Sequence, residues 1–276
     1  MVWERFHHIC RRALAPLRPG ESLAERIRAV EADPDTALYG APLKPGTLPR
    51  RILDWISEDP RQDRAYRQLE IYASLNLATE TPRPLSLKRV VRYLAWIVVL
   101  AAILSGIYLL LVMAGLLPLI EPAAFGTPSL MPLFRDYGSV FALSVAVLLG
   151  LALMLGHALR GVADWPSGRG RDGLTRLLVF PKASAVSEEL EAVALFPLGP
   201  EAVEKPSDVA AHLWRLAEEG VDTRYEMEAL IRCRQHTLIE LCERQICVLY
   251  TISILLIGLM ATLFLVVGDP LIILGP

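Results

Sequence analysis

Six histidine and cysteine side chains are the residues of this sequence whose types and spacing could bind a metal. They are His7, His8, Cys10, His212, Cys233 and His236. Imidazole nitrogen and thiolate sulfur are common zinc ligands, and Cys233 and His236 are one helical turn apart. However, the spacings match no zinc module, and burial of a cysteine in an apolar core is ordinary packing. We therefore expect no metal site.

Three motifs of common hydrolases and nucleotide-binding enzymes are missing from the chain. It contains no nucleophile elbow, no Walker loop and no His-Glu-x-x-His pair. The cysteines at 10, 233, 242 and 247 form no Cys-x-x-Cys pair, so a disulfide framework is not expected. These observations predict no catalytic residue and no cofactor, and they favour a protein that is not an enzyme.

Three long apolar runs dominate the rest of the sequence. From Gln245 to Gly268 no side chain is charged, and this run makes about 36 Å of helix, enough to cross a hydrocarbon core of about 30 Å. Similar runs begin at Tyr93 and Tyr137. A fully buried core helix is the alternative for any single run, but three such runs argue against it. We predict three transmembrane helices, at about 93–117, at about 138–159 and within 245–276.

These spans divide a chain that we predict to be all-α. Segments 1–89 and 161–244 are predicted to be cytoplasmic helical domains. Segment 90–160 is a transmembrane hairpin with a short outer loop at 118–137, and 245–276 holds the third span and a short outer tail. No alternating strand pattern appears in the first of these segments.

Basic residues near the spans predict the orientation of the chain. They are Arg83, Lys88, Arg89, Arg92, Arg160, Arg169, Arg171, Arg176, Arg232, Arg234 and Arg244. The loop between the first two spans has only Arg135, and the tail after the third span has no base. The positive-inside rule therefore places the N-terminus and 161–244 in the cytoplasm, and the loop and the C-terminus outside.

Small residues recur at four-residue spacing within the spans, where they let helix backbones approach closely. The candidates for span packing are Ala102, Gly106, Ala142, Ala146, Gly150 and Gly156. Their spacing suits packing among the three spans or against a second copy of the chain.

His157 is the one titratable side chain of the second predicted span. Such a residue is a functional candidate by default. It lies within a turn of the cytoplasmic end, where its ring can reach interfacial water, so we favour a structural role. No Asp, Glu, Lys or Arg lies inside a span, which argues against a proton relay or an ion-coupled transporter.

Residues 2–17 have the pattern of a basic amphipathic helix. Such a helix can lie on an anionic membrane surface or dock in a partner groove, or its apolar face can cover the core of the cytoplasmic domain. We favour the last of these. The aromatic residues that could dock partners are Trp3, Phe6, Trp55 and Trp214.

Capping signals predict further cytoplasmic helices. Ser22-Leu-Ala-Glu is a capping box, and Ser187 and Ser207 are each predicted to open a helix. The prolines and glycines of 34–48 predict a loop. No helix breaker occurs from Thr223 to Gly268, which predicts one long helix that enters the third span.

Charge and composition exclude one class of partner. The net charge is −2 with 53% apolar residues, and charge is distributed along the chain. A nucleic-acid-binding protein needs a large basic field, which this chain lacks. Membrane lipids and other proteins are the expected partners.

The order of segments resembles the inner-membrane platform proteins of type II secretion and type IV pilus machines. The local similarities are Tyr66-Arg-Gln-Leu-Glu-Ile-Tyr before Arg89, Arg92 and the first span, and Tyr225-Glu-Met-Glu-Ala-Leu with Leu241-Cys-Glu-Arg before a span that contains Gly258 and precedes Pro270. The Gly-Glu-x-x-Gly turn that is usual in that family does not occur. Proline near the start of spans one and three is also common there and is absent here.

This resemblance implies a non-enzymatic platform in the bacterial inner membrane. It implies docking of a motor ATPase and pilin-like subunits, within a homo-oligomer or a larger complex. Two alternatives remain open at the level of sequence. One is a membrane anchor or adaptor of another complex, and the other is a membrane enzyme or transporter.

Overall fold

The computed structural model describes the backbone of residues 2–16, 20–77, 85–107, 130–165, 179–203 and 207–273, and the side chains of most of them. Within these ranges the secondary structure is helical and no strand occurs, which confirms the predicted all-α class. The helices are α1 (Val2–Ala13), α2 (Leu23–Ala32), α3 (Leu48–Glu58), α4 (Gln62–Ser74), α5 (Leu85–Ile107), α6 (Leu130–Ala163), α7 (Pro181–Leu195), α8 (Asp208–Glu218) and α9 (Thr223–Ile273).

The chain divides into two compact units. Unit 1 contains 1–84 and 159–242, and unit 2 contains 85–158 and 243–276. The two segments that we predicted as separate cytoplasmic domains therefore pack into one unit. Helix α9 contributes its first part to unit 1 and its remainder to unit 2.

Helix α1 supplies much of the core of unit 1. Trp3, Phe6, Ile9 and Cys10 are buried along one face, and the Phe6 ring meets the ring of Tyr72 edge-on with centroids 5.5 Å apart. Burial of a large apolar side chain contributes about 1.5–3 kcal/mol, so this face stabilises the unit substantially. Of the interpretations of the amphipathic N-terminus, coverage of the core is the one that the structure shows.

The polar side of α1 is used as well. The buried Arg5 guanidinium donates to the carbonyl oxygens of Gly40 (2.7 Å) and Glu31 (3.1 Å). Glu31 belongs to the last turn of α2, where carbonyl groups lack donors within the helix. Arg5 therefore closes the end of α2 from a neighbouring helix.

Helix starts follow the sequence signals in two of the predicted cases. The Ser22 capping box forms, and the Ser207 hydroxyl accepts from the N–H of Ala210 at 3.1 Å. The prediction for Ser187 is wrong, because α7 already begins at Pro181 and Ser187 lies inside it. Proline fits the first position of a helix, since its fixed φ is helical and its missing N–H has no partner there.

Two boundaries differ from the predictions in smaller ways. The predicted loop 34–48 contains a 3-10 helix at Pro34–Tyr39, which Asp33 caps. The predicted helix from Thr223 to Gly268 is confirmed, and it continues through Pro270 to Ile273.

Three helices are long and apolar enough to cross a membrane. The qualifying stretches are Arg89–Ile107 of α5, Ser139–Ala163 of α6 and Thr223–Thr262 of α9. They agree with the three predicted spans as far as the described residues extend. Residues 108–129, which include the end of the first predicted span and much of the outer loop, lie outside those residues.

The three spans of unit 2 pack through a small apolar core. Its buried residues are Ala101, Val145, Leu149 and Met260, and Ile97, Phe141 and Ile257 are among the half-buried side chains that pack around them. Many large apolar side chains face outward on the same helices. They include Tyr93, Trp96, Leu100, Ile103, Leu143, Leu151, Ile252 and Leu255. An outer surface of this kind is stable against lipid and unstable in water, so the chain is a multi-pass membrane protein.

Gly199 in unit 1 occupies a position that only glycine fits. Its φ is 103°, and a Cβ built there would lie 2.8 Å from Nη2 of Arg64. That nitrogen donates to the carbonyl oxygen of Leu198 at 2.6 Å, so it cannot move without losing the bond. Gly220 also has a positive φ, 77°, but a Cβ built at Gly220 would have no other atom within 4 Å.

We therefore expect Gly199→Ala to lower the free energy of unfolding by about 2–3 kcal/mol and Gly220→Ala by about 1 kcal/mol. Circular dichroism of the detergent-solubilised protein during thermal unfolding measures both. In an Arg64→Ala background the cost of Gly199→Ala should fall, because the contact with the guanidinium is gone, and the cost of its backbone conformation should remain. Equal losses of stability for Gly199→Ala and Gly220→Ala in the otherwise wild-type protein would contradict a steric contact between Gly199 and Arg64.

Candidate functional site

A row of donors on α4 joins the two segments of unit 1. The Tyr72 hydroxyl donates to the carbonyl oxygen of Ala194 at 2.7 Å. Arg64 and Gln68 donate to the carbonyl oxygen of Leu198 at 2.6 and 3.3 Å. Because these three side chains are four residues apart, they share one face of α4. We call Arg64, Gln68 and Tyr72 the donor row.

The sequence explains why these carbonyl groups need outside donors. The last carbonyls of an α-helix have no partner within the helix, and Ala194 lies in the last turn of α7. Leu198 ends the 3-10 turn that follows, and its side chain is buried. A buried carbonyl without a donor costs about 1–3 kcal/mol, so the donor row removes a penalty that α7 alone would carry.

Further contacts join the same two segments. Arg51 of α3 forms a short ion pair with Glu191 of α7. The backbone N–H of Asn76 donates to the Glu228 carboxylate at 2.6 Å, and the rings of Trp3 and Trp165 have centroids 5.5 Å apart. Unit 1 is thus one body closed by polar and aromatic contacts between residues more than a hundred positions apart in the chain.

Burial keeps the central titratable groups of unit 1 neutral. It raises the pKa of the Tyr72 phenol, so that the hydroxyl remains a donor to Ala194. It also raises the pKa of the Cys10 thiol. A thiol that stays protonated is a poor nucleophile and a poor metal ligand, so Cys10 acts as a packing residue.

His7 links α1 to the end of α4 through both ring nitrogens. Its Nδ1 lies 2.8 Å from the carbonyl oxygen of Tyr72, and the N–H of Leu77 donates to its Nε2 at 3.2 Å. A carbonyl only accepts, so the proton is on Nδ1 and the ring is neutral. Burial lowers the pKa of His7, and the positive charge of Arg11 lowers it further, against the opposing effects of the hydrogen bond to the Tyr72 carbonyl and of the Glu228 carboxylate.

The remaining candidate metal ligands occupy separate environments. His212, Cys233 and His236 are exposed, and His236 lies 3.3 Å from Glu240 on its own helix. His8 stacks on Tyr39 with ring centroids 3.8 Å apart. Across the residues that the structure describes, no three His, Cys, Asp or Glu side chains are grouped so as to hold a metal.

A glycine motif in the sequence falls outside the described residues. Gly168-Arg-Gly-Arg-Asp-Gly matches the spacing of a dinucleotide-binding turn. That turn requires a strand before it, and here the preceding element is helix α6. The motif therefore lacks the context that would give it this function.

The four aromatic residues predicted to dock partners have different environments. Trp3 and Phe6 are buried in the core of unit 1, where they pack against each other. Trp214 is half-buried against Phe196, with centroids 4.6 Å apart. Trp55 is 39% exposed on α3, and it is the one of the four that offers a surface.

The predicted packing residues of the spans also separate into two groups. Ala142 and Gly156 are buried, whereas Ala102 and Ala146 are exposed and Gly106 and Gly150 are half-buried. A Cβ at Gly156 would lie 3.4 Å from Leu94, and none at Gly106 or Gly150 would meet an atom within 4 Å. Gly156 is thus the small residue at which the helix approach is close.

His157 is exposed at the position next to Gly156. Its side chain lies on the outside of the helices of unit 2. The structural role that we favoured for His157 stays a prediction.

The donor row was not recognised in the sequence. In the sequence, the spacing of Tyr72 with Leu69 and Leu75 indicates an apolar helix face, and all three residues are buried. The available signal was a recurrence of donors every four residues beside that face. The acceptors, however, are 122 to 134 residues away in the chain, and no sequence pattern identifies them.

The buried neutral His7 predicts a loss of stability in acid. Because burial lowers the pKa of His7 below its ordinary value of 6.5, the unfolded chain binds more protons than the folded protein as the pH falls past that value. We expect the melting temperature of wild type to fall between pH 7 and about pH 5. Thermal unfolding in detergent across this range is the measurement.

The matched variants are His7→Gln and His8→Gln. The His7→Gln variant should retain only the part of the pH dependence that His8 contributes, since burial lowers the pKa of His8 too. The His8→Gln variant should retain the part due to His7. An unchanged pH dependence in His7→Gln would show that the ring is not the titrating group.

A second prediction concerns the close approach at Gly156. Gly156→Leu should lower the stability of unit 2 by about 1–3 kcal/mol, because the larger side chain must displace Leu94, Val91 or Ile246. Gly156→Ala should be tolerated, and Gly150→Leu should cost little. Thermal unfolding in detergent compares the three, and equal effects of the two leucine substitutions would rule out the proposed contact.

Comparison of this chain with family models, with curated proteins and with solved structures finds no match in any of the three.

Proposed function

We propose that this protein is a non-enzymatic scaffold of the membrane, whose spans anchor a helical unit that docks protein partners. The observation that carries the proposal is the closure of unit 1. The segments that precede and follow the first two spans in the sequence fold together into unit 1. The donor row and the Arg51–Glu191 ion pair connect these two segments. A body built in this way gives a partner a defined surface to bind.

The chemistry of the described residues supports binding over catalysis. The buried titratable groups Tyr72, Cys10 and His7 are kept neutral and serve packing or structural hydrogen bonds. An active site needs convergent polar groups that are open to a substrate. In unit 1 the buried side chains of Arg5, Gln68 and Tyr72 donate to backbone carbonyls instead.

The resemblance to platform proteins of type II secretion and type IV pilus machines suggests a specific assembly. On that basis the partners are a motor ATPase on the cytoplasmic side and pilin-like subunits beside the spans, within a homo-oligomer or a larger complex. The protein lies in the bacterial inner membrane. Its N-terminus and unit 1 are cytoplasmic and its C-terminus is outside, as the basic residues that flank the spans indicate.

Exposed apolar residues on unit 1 supply the docking surface. Trp55 on α3 is 39% exposed, and Leu38 on the 3-10 helix is 84% exposed. Large aromatic anchors of this kind dominate the binding energy of many interfaces. The buried Trp3 and Phe6 hold the fold that presents them.

The test is crosslinking in native membranes followed by mass spectrometry of the tagged protein. We expect recovery of a secretion-type ATPase and pilin-like subunits. Recovery of an unrelated complex would support the scaffold function but contradict the assignment to a secretion or pilus machine. A chain that crosslinks to no protein and purifies as a monomer would refute the scaffold itself.

Trp55→Ala separates docking from folding. We expect this variant to lose most of the crosslinked partner while its melting temperature stays close to that of wild type. Trp3→Ala is the contrasting variant, because removal of a buried aromatic ring costs about 3–5 kcal/mol of stability. If Trp55→Ala keeps full crosslinking, the docking surface lies elsewhere on unit 1.

A further inference from the structure

Gly156 sets the register of the three helices at one end of unit 2. A Cβ at this position would lie 3.4 Å from Leu94 and 3.6 Å from Val91 of α5, and 3.7 Å from Ile246 of α9. These atoms therefore lie at one level of the bundle. We call the level defined by Gly156, Val91, Leu94 and Ile246 the Gly156 layer.

Exposed basic groups lie at this layer on two helices. Arg89 and Arg92 flank Val91 on α5, Arg244 precedes Ile246 on α9 by two residues, and all three are exposed. His157 follows Gly156 and is exposed too. Glu243 is the one acidic residue among the described side chains within three positions of those that define the layer, so the layer has an excess of positive charge.

On α5 the arginines are continuous with an apolar outer face. The exposed residues of this face are Arg89, Arg92, Tyr93, Trp96, Leu100, Ile103 and Ile107. They recur at steps of three and four, which places them on one side of the helix. Leu94 and Ala101, seven residues apart, are buried on the opposite side.

Helix α9 repeats this arrangement. Its exposed residues Arg244, Val248, Thr251, Leu255 and Leu259 also recur at steps of three and four. The buried residues Ile246, Ser253 and Met260 occupy the opposite side. Two helices of unit 2 thus each present a guanidinium group in line with an apolar outer stripe, at the same layer.

The dimensions of the α5 stripe match one lipid leaflet. From Arg92 to Ile103 the helix rises about 16 Å, which is close to half of a hydrocarbon core of about 30 Å. A lipid that lies along this face can place its phosphate at Arg89 and Arg92 and its acyl chains along Leu100 and Ile103. Trp96 lies between them, at the depth where aromatic rings favour the membrane interface.

We propose that the Gly156 layer binds anionic phospholipids, with the headgroup on Arg89, Arg92 and Arg244 and the acyl chains along the two outer stripes. Net negative headgroups are favoured because the layer carries excess positive charge beside a low-dielectric surface. A free phosphate ion would use the arginines alone and gain nothing from the stripes. This proposal does not depend on the scaffold function.

The experiment is native mass spectrometry of the purified full chain in mixed micelles. Phosphatidylglycerol and phosphatidylcholine with identical acyl chains are supplied in equal amounts, and the ratio of bound lipids is measured. We expect wild type to retain phosphatidylglycerol in several-fold excess. Each single substitution Arg89→Gln, Arg92→Gln or Arg244→Gln should remove part of that preference, up to about fivefold if one arginine supplies most of it.

The matched control removes the same charge from unit 1. A triple variant with Arg28→Gln, Arg61→Gln and Arg67→Gln changes exposed arginines that lie outside the spans, and it should retain the wild-type ratio. The triple variant at 89, 92 and 244 should bind the two lipids about equally. Circular dichroism verifies that both triple variants keep the helical content of wild type.

Three outcomes would overturn the proposal. One is an equal ratio of the two lipids in wild type, which needs no variant to interpret. Another is an equal loss of preference in the two triple variants, which would show an effect of net charge without a site. The third is displacement of bound phosphatidylglycerol by millimolar inorganic phosphate, which would show that the acyl chains contribute nothing.

Discussion

The carbonyl oxygens of Ala194 and Leu198 impose the constraint on which unit 1 depends. They lie where α7 and its 3-10 extension end, so the local backbone cannot satisfy them, and they are removed from water by the packing of unit 1. Their donors come from α4, in the other segment of the chain. If the two segments did not fold together, the buried carbonyl oxygens of Ala194 and Leu198 would lack donors. The need to pair these two acceptors therefore favours one arrangement over others that would bury a similar apolar area.

The positions of α1 and Gly199 follow from the same requirement. Phe6 packs on the ring of Tyr72, and His7 binds the Tyr72 backbone, so α1 holds the residue whose hydroxyl reaches Ala194. Gly199 leaves room for the guanidinium that reaches Leu198. Each of these residues acts through the donor row, which is why substitutions far apart in sequence should affect one cooperative unit.

The features predicted correctly from sequence are those that depend on a few neighbouring residues. The three apolar helices, the Ser22 capping box and the long helix from Thr223 are local patterns, and the structure contains all of them. The prediction that Ser187 begins a helix was wrong because a serine before two glutamates resembles an N-cap. The stronger signal for the start of this helix was Pro181. The donor row could not be predicted, because its acceptors are backbone atoms that carry no sequence signature.

The spans show a different limit of sequence reasoning. Four-residue spacing of small residues identifies a helix face but not the neighbour that the face meets, so Gly156 and Gly150 look alike in sequence and differ in contact. The reason is physical. In unit 1, Gln68 and Tyr72 donate to particular backbone carbonyls, and hydrogen-bond geometry specifies these partners. The cluster at which the spans of unit 2 pack, Ala101, Val145, Leu149 and Met260, is apolar, and in a bilayer no hydrophobic force distinguishes a helix face against lipid from one against another helix. The arrangement of the spans must then depend on close van der Waals contacts such as those at Gly156.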